Sequence, residues 1–350
     1  MHRTAIAGVK GRCVWDSRGR PTVEAEIALA GGERGRAIAP AGASRGAHEA
    51  VDLRDGGARL GGLGVRGAVA NVNGPIAAAL AGMDVYNQAA IDAALVALDG
   101  TPDKSRLGGN ALVATSLAVL DAAAAAAREP RYRYLAGGRP LRLPLPEIQI
   151  FGGGAHAGGR TDIQDFMVMP LGAASFAAAL EMAAEVYRAA GELLRDAGKL
   201  AGVADEGGWW PAFATNEAAL DWLVRAIERA GCVPGDEVAI SLDIAASQLG
   251  RGGRYRLGLE GRELDADAFS ELLIGWLDRY PIVSIEDPLG EDDVEGFARF
   301  TRAVGGRVQV IGDDFLVTDA ARIGAAAARG ACNAVLVKPN QAGTVSEARA

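Results

Sequence analysis

The chain has 350 residues, of which 49% are hydrophobic, which is enough for two domains or one large one with a buried core. Its net charge of −8 and pI of about 5.1 argue against nucleic acid as a partner. The three cysteines have no CxxC spacing, which predicts buried thiols in a reducing compartment. With no leader-like start and no long apolar run, we expect a cytoplasmic protein without a membrane partner.

The first part of the sequence predicts a small antiparallel sheet. Short β-like runs at 14–15 and 22–27 flank a polar turn, and residues 35–40 supply a third strand. A loop of small residues follows at 41–49, which we call the small-residue loop. Small side chains let such a backbone close over a ligand, and Ser44 offers a hydroxyl oxygen. On these residues alone, an ordinary surface connection explains the loop as well.

Helices and a domain boundary are predicted next. Helical patterns occupy 68–80, 88–98 and 110–128. Asn87 and Asn110 are the candidate N-caps. The segment 137–144 is rich in Gly and Pro and marks the boundary. We therefore predict an α+β domain over residues 1–137 and a second domain over residues 143–350.

The second domain predicts a βα barrel. Six short apolar runs lie at 147–151, 162–169, 239–243, 282–286, 308–313 and 334–338. The last four end on Asp243, Glu286, Asp313 and Lys338, and the intervals between them have room for a helix and a return strand. Because parallel strands share one carboxyl-end mouth, we expect these four charges to converge.

Three carboxylates and a lysine at one mouth indicate a hard-cation site that faces a base. Carboxylate oxygens suit Mg²⁺, which keeps positions open for water or substrate. Any one of these residues alone reads equally well as a solvated charge at a strand end. Acidic and basic tips together favour chemistry.

Candidate acids lie between two predicted helices, 175–197 and 215–230. The segment between them contains Asp205 and Glu206 beside paired glycines, followed by Trp209 and Trp210. Burial next to these rings would raise a carboxyl pKa and keep the acid protonated. The alternative is an irregular helix-linking turn that carries solvated acids.

Many short motifs occur in one order along the chain, and together they resemble the enolase family, the phosphopyruvate hydratases. The likeness spans essentially the whole chain. It rests on residues 16–19, 21–24, 42–44, 48–50, 53–56, 73–77, 98–101, 104–105, 153–157, 205–208, 284–287, 312–314 and 340–341.

The resemblance implies an N-terminal α+β domain that caps an enolase-type TIM-like βα barrel, and a homodimer. It implies reversible, Mg²⁺-dependent dehydration of 2-phosphoglycerate to phosphoenolpyruvate in glycolysis, with two Mg²⁺ per site and a small phosphorylated carboxylate as substrate. Asp243, Glu286 and Asp313 match the family's first metal site, where Glu286 and Asp313 also border the substrate. Ser44 matches the position that reaches the second ion.

The same resemblance implies the catalytic roles. Lys338 matches the base that removes the C2 proton, and Glu206 matches the acid that protonates the leaving C3 hydroxyl. His156 matches a substrate contact, while Gln164 and Asp165 match residues that support the acid.

Several positions depart from the family pattern. Asp165 replaces a glutamate, Ala204 replaces a glycine, and Arg45 stands where threonine is usual. These changes, with Trp209 and Trp210, favour a diverged paralogue acting on a related phospho- or phosphonate carboxylate in secondary metabolism as an alternative. A catalytically dead, enolase-like binding protein is a further alternative, against which the retained carboxylates and lysine argue.

The predicted barrel is incomplete at its C-terminal side. Six strands are present where a barrel of this kind has eight, and the family's Ser-His-Arg-Ser segment and final lysine, which hold the substrate's phosphate and carboxylate, are absent from these 350 residues. We expect a truncated form of a longer chain. The 350 residues alone should have little hydratase activity and a tendency to aggregate through open sheet edges.

Overall fold

The computed structural model describes residues 2–350 and shows two packed regions. The first is a three-stranded antiparallel sheet in the order β1-β2-β3, covered by helices on one face, as predicted. Its elements are β1 Ile6–Trp15, β2 Pro21–Leu29, β3 Arg34–Ile38, α1 Arg66–Asn71, α2 Ala77–Leu80, α3 Gln88–Asp99, α4 Gly109–Ala127 and α5 Arg131–Ala136.

The helix predicted over 68–80 is real but interrupted. A widened π turn, Val72–Ile76, separates α1 from α2, and Pro75 lies inside it. Proline has no N–H to continue the helical ladder, so the backbone widens around it. The Asn87 side chain caps α3 by accepting from the Ala90 amide, as predicted. The prediction for Asn110 is wrong, because α4 begins one residue earlier and Gly108 is its N-cap.

Helix α4 forms the core of the first region. It packs on β2 and β3 so closely that a side chain on Gly35 would overlap the backbone of Ala122. Among the described residues, α4 is the one helix long and apolar enough to cross a membrane, yet 72% of its most apolar window is buried inside the protein. Such burial is typical of a core helix.

The three cysteines are unpaired, but one of them contradicts the prediction of buried thiols. Cys13 is exposed, while Cys232 and Cys332 are half-buried. Cys13 lies near the end of β1, where the strand residues are exposed or half-buried, unlike Ile6 and Gly11 of the same strand.

The second region contains a mostly parallel eight-stranded sheet with helices packed against it. Its elements are β4 Ile148–Gly152, β5 Asp165–Met169, α6 Phe176–Asp196, β6 Leu200–Val203, β7 Trp209–Pro211, α7 Asn216–Arg229, β8 Ala239–Asp243, β9 Gly250–Arg251, β10 Arg254–Leu257, β11 Arg262–Asp265, α8 Ala266–Arg279, β12 Ile282–Glu286, α9 Val294–Val304, β13 Gln309–Gly312, α10 Ala320–Arg329, β14 Ala334–Val335, α11 Pro339–Ala342 and α12 Val345–Ala348. Strands β9 to β11 form a separate small sheet.

The order of the large sheet is β14-β13-β12-β8-β5-β4-β7-β6, and within the described residues it does not close into a barrel. The four runs predicted to end on charges, β8, β12, β13 and β14, pair in parallel. Strand β5 is antiparallel to both β4 and β8. The 12-residue connection from β4 to β5 contains only the single turn Gly154–His156 and no crossover helix, which is typical of an antiparallel pair.

The segment expected to be an irregular link between helices is instead a β-hairpin. Strands β6 and β7 pair antiparallel, and β7 also joins the edge of β4 through Trp209 and Phe151. The expectation missed these strands because each is only three or four residues long. The hairpin carries residues 204–208, which we call the acid loop, toward the first region.

Candidate active site

The ends of neighbouring strands bring three acidic side chains to one edge of the large sheet. Asp243 ends β8 and Glu286 ends β12, and strand pairing places these two residues in register. Asp313 directly follows β13, the next strand along. All three are buried, with Asp313 only 1% exposed. Parallel strands therefore gather like charges away from water.

Lys338 joins this group from a position three residues beyond β14. The prediction of a strand that ends on Lys338 is wrong, because β14 ends at Val335 and Lys338 is the N-cap of α11. Its Nζ lies 2.5 Å from Oδ2 of Asp313, and Gln341 Nε2 donates to the other oxygen at 2.7 Å. We call Asp243, Glu286, Asp313 and Lys338 the strand-tip side of the site.

Burial gives the strand-tip side unusual electrostatics. Desolvation, and then the charge of neighbouring carboxylates, holds the pKa of Asp243 and of Glu286 well above the ordinary range. Burial lowers the pKa of Lys338, but the charges of Asp313, Glu286 and Asp243 outweigh it, so the net shift is upward. The lysine is therefore held as an ammonium by the surrounding acids.

Two further buried acids, Asp287 and Asp314, adjoin this group. Burial and the charge of Asp313 raise the pKa of Asp287 to about 7, and burial with the charges of Asp287 and Asp313 raises that of Asp314 to about 8. Possible ligand oxygens of Asp287, Asp313 and Asp314 lie within 4.8 Å of one another, and Oδ1 of Asp314 has no hydrogen-bond partner. Among the described residues, Asp243 and Glu286 are not part of this group of three carboxylates.

Gln164 and Ser44 lie beside the strand-tip side. Gln164 Nε2 donates to Oδ2 of Asp243 at 2.7 Å and lies 3.5 Å from the Ser44 hydroxyl, which is buried. The resemblance predicts that Gln164 supports the acid Glu206. In the structure its side-chain amide contacts Asp243 and Ser44 of the small-residue loop instead. Gln164 lies just before β5, and its own amide N–H also donates to the Asp243 carbonyl at 3.1 Å, which holds it beside β8, whereas Asp165 on β5 contacts Gln149 and His156.

The predicted acids lie at the tip of the β6–β7 hairpin. Asp205 is one-quarter exposed and Glu206 nearly half exposed, and both contact Arg18 of the first region. Nε of Arg18 donates to Asp205 at 2.6 Å, and Nη2 donates to Glu206 at 3.1 Å. The positions of the two acids therefore depend on a residue far away in sequence.

His156 connects the acids to β5. Its Nδ1 lies 2.5 Å from Asp205, and its Nε2 lies 3.4 Å from Asp165 and 3.6 Å from Glu206. Burial lowers the pKa of His156, but its hydrogen bonds to these acids and their charges outweigh burial and raise it to about 9. We call His156, Asp205, Glu206 and Arg18 the loop side of the site.

The two tryptophans do not bury the acid, and that expectation is wrong. Trp209 stacks on Tyr187 at 4.5 Å, and its indole N–H donates to the Tyr187 carbonyl. The Trp210 ring lies beside Gly158, in the loop between β4 and β5. Glu206 lies in the turn before β7 and points toward Arg18 and His156 instead.

Two residues of the site have no clear signal in the sequence. Arg18 lies within the motif 16–19, but nothing local indicated that its guanidinium reaches the acid loop. Gln149 on β4 donates to Asp165 and accepts from the Gly208 amide at 2.8 Å. For Gln149, the sequence indicates only that a polar residue lies within the strand β4.

The family comparison agrees with this architecture. The model described as "Enolase, N-terminal domain" matches residues 6–135, and the model described as "Enolase, C-terminal TIM barrel domain" matches residues 140–350. The chain belongs to the enolase family. The two enolase domains indicate a lyase-type enzyme of the enolase superfamily and imply a small phosphorylated carboxylate as substrate.

Enolases typically use Mg²⁺, and the donor set of this chain fits such an ion. Every candidate ligand on the strand-tip side is an oxygen, as a hard cation requires. The buried oxygen of Asp314 without a partner, and the raised pKa values of Asp243 and Glu286, indicate an excess of negative charge that Lys338 alone does not balance. A divalent cation would offset that excess.

Proposed function

We propose that this enolase-family protein is a Mg²⁺-dependent lyase that interconverts 2-phosphoglycerate and phosphoenolpyruvate. We extend the proposal to a cytoplasmic homodimer acting in glycolysis, with domains at residues 1–137 and 143–350. One observation carries the proposal: Lys338 Nζ approaches Asp313 beside two further buried strand-tip carboxylates. An amine base facing a cation site is what removal of a weakly acidic C–H proton requires.

Asp243, Glu286 and Asp313 would hold the first Mg²⁺, and Ser44 would contribute to the second. When bound, Mg²⁺ supplies positive charge that offsets the charge developing on the substrate carboxylate. Lys338 must lose its own proton before it acts as a base. Neutralising the carboxylates around Lys338 removes the charges that now raise its pKa.

The loop side supplies the second proton transfer. Glu206 would donate a proton to the leaving C3 hydroxyl, and His156 and Asp165 would border the substrate next to it. Glu206 is nearly half exposed, so a substrate can reach its carboxyl group from solvent. Each positioned proton transfer typically contributes about 10²–10⁴ in rate.

A second candidate function is lysis of a related phospho- or phosphonate carboxylate. Two observations favour it. Asp165 is one methylene shorter than the family glutamate and is held by Gln149 and His156. Arg45 replaces a small polar residue of the family loop and lines a cavity of about 1060 Å³ next to Asp314. One guanidinium nitrogen of Arg45 pairs with Asp52 at 2.7 Å, and its remaining donors would be the groups that receive an additional anionic group of such a substrate.

A Mg²⁺ titration by calorimetry tests the metal site in the 350-residue chain. We expect saturable binding that weakens at least about tenfold in Asp243→Asn, because ligand charge determines affinity for a hard cation. Asp236→Asn removes an exposed carboxylate elsewhere and should leave binding unchanged.

Turnover is then followed by the ultraviolet absorbance of phosphoenolpyruvate, in these 350 residues and in any longer chain that the coding region specifies. Lys338→Ala should abolish product formation. Lys10→Ala, which changes an exposed residue of β1, should not. Absence of both Mg²⁺ binding and phosphoenolpyruvate in a chain that also carries the family's C-terminal segment would refute the proposal in favour of a binding protein. Turnover of a phosphonate substrate alone would support the second candidate.

A further inference from the structure

Arg18 makes contacts that the proposed chemistry does not use. Its guanidinium donates to Asp205 through Nε, to Glu206 through Nη2, and to the carbonyl of Ala41 through Nη1 at 3.1 Å. Ala41 begins the small-residue loop, and the two acids belong to the acid loop. Three donors of one side chain therefore join two loops that are about 160 residues apart in the sequence.

The Arg18 side chain is itself held firmly. It lies in the turn between β1 and β2, where one carboxylate oxygen of Asp16 accepts from the amides of Arg18 and Arg20 at 2.9 and 2.8 Å. Gly19 has φ +68°, a left-handed conformation that glycine adopts without strain. The Arg18 side chain is only 10% exposed. A rigid turn and a buried planar fork together define the direction of each donor.

The two joined loops carry groups on opposite sides of the site. The small-residue loop contains Ser44, which lies beside Gln164 and through it next to Asp243. The acid loop contains Glu206. We propose that Arg18 is a positioning residue that couples these loops, so that ordering of the small-residue loop also orders Glu206. The catalytic meaning of this coupling rests on the proposed function, but the physical link does not.

Two other side chains form hydrogen bonds with the acid loop, and comparison with them shows what is specific to Arg18. The Tyr187 hydroxyl donates to the Gly207 carbonyl at 2.8 Å, and Gln149 accepts from the Gly208 amide. Neither side chain has a hydrogen bond to the small-residue loop. Loss of Tyr187 should therefore loosen one loop, and loss of Arg18 should loosen both.

Hydrogen exchange measured by mass spectrometry tests this coupling in the 350-residue chain. Both loops contain hydrogen-bonded amides that report on it. In the acid loop the Gly207 amide donates to the Ala204 carbonyl, and in the small-residue loop the Gly46 and Ala47 amides donate to Glu49 and Glu291.

In Arg18→Met we expect exchange to accelerate about tenfold or more in both loops, because charge-assisted hydrogen bonds are stronger than neutral ones. Arg18→Lys keeps the charge but not the fork, and should recover part of the protection. Tyr187→Phe should accelerate the acid loop alone. Acceleration confined to one loop in Arg18→Met would overturn the coupling. If circular dichroism shows that Arg18→Met does not fold, Arg18→Lys replaces it in the test. Faster exchange in both loops would then support the coupling, and faster exchange in one loop alone would overturn it.

Added Mg²⁺ separates this inference from the proposed function. In the wild type we expect Mg²⁺ to slow exchange in both loops, and in Arg18→Met to slow it in the small-residue loop alone. Equal Mg²⁺ protection of the acid loop in both proteins would refute the coupling. No Mg²⁺ effect in the wild type would count against the proposed metal site, and the ion-free comparison would still decide the role of Arg18.

Discussion

The strand-tip side and the loop side of the site are built by opposite means. On the strand-tip side, parallel strands hold like charges in register, and burial forces their pKa values upward. On the loop side, half-exposed acids are held by cations, Arg18 and His156, so that the pKa of Asp205 falls below its usual range even though burial opposes this. Buried strand ends therefore concentrate like charges at one side, while ion pairs hold partly exposed loop acids at the other.

The largest effect should come from Lys338, the cation that faces the strand-tip acids. We expect Lys338→Met to lower the free energy of unfolding by about 3 kcal/mol in metal-free buffer, because removing the half-buried lysine leaves the charge of the fully buried Asp313 uncompensated. Urea denaturation measures this, with Lys10→Met as the exposed control. A loss no larger than that of the control would contradict the buried strand-tip cluster.

Mg²⁺ should stabilise the protein through the strand-tip side alone. At about one hundred times its dissociation constant, a ligand of the native state adds about 2.7 kcal/mol to the free energy of unfolding. We expect this gain in the wild type and in Glu206→Gln, and its loss in Asp243→Asn, by thermal or urea unfolding with and without Mg²⁺. Equal loss in both variants would erase the distinction between the two sides.

His156 should make the loop side sensitive to pH. Its pKa rises from 6.5 to about 9 in the folded protein, so the folded state binds the additional proton. The stabilisation is therefore complete below about pH 6.5 and is lost as the pH rises through about 9, with a size of about 2–3 kcal/mol. Urea unfolding of wild type and His156→Gln across this range measures it. A difference that grows with pH would show that the sign is wrong.

The smallest effect should come from restoring the family side chain at position 165. Asp165 is buried between Gln149 and His156, so the additional methylene of Asp165→Glu should cost about 1 kcal/mol through overpacking. The unfolding free energy and the ratio of turnover on 2-phosphoglycerate and on a phosphonate analogue measure the result. An unchanged ratio would remove the support that Asp165 gives to the diverged-substrate alternative.

Much of the first region followed from local pattern. The meander, the length of α4 and the Asn87 cap depend on alternation, helical spacing and one side-chain hydrogen bond, all of which are local. Local pattern failed at Asn110, whose side chain binds Asp52 and the Leu53 carbonyl instead of capping the helix. A distant partner decided that position.

The sequence by itself determined which strand ends carry charge, because buried parallel strands appear as continuous apolar runs that stop at Asp243, Glu286 and Asp313. Only the tertiary structure decided that residues 200–211 form a hairpin, that Gln164 faces the strand-tip side, and that Arg18 reaches the acid loop. Those features depend on contacts between residues far apart in the chain, and such contacts leave no periodic trace in the residues around either partner.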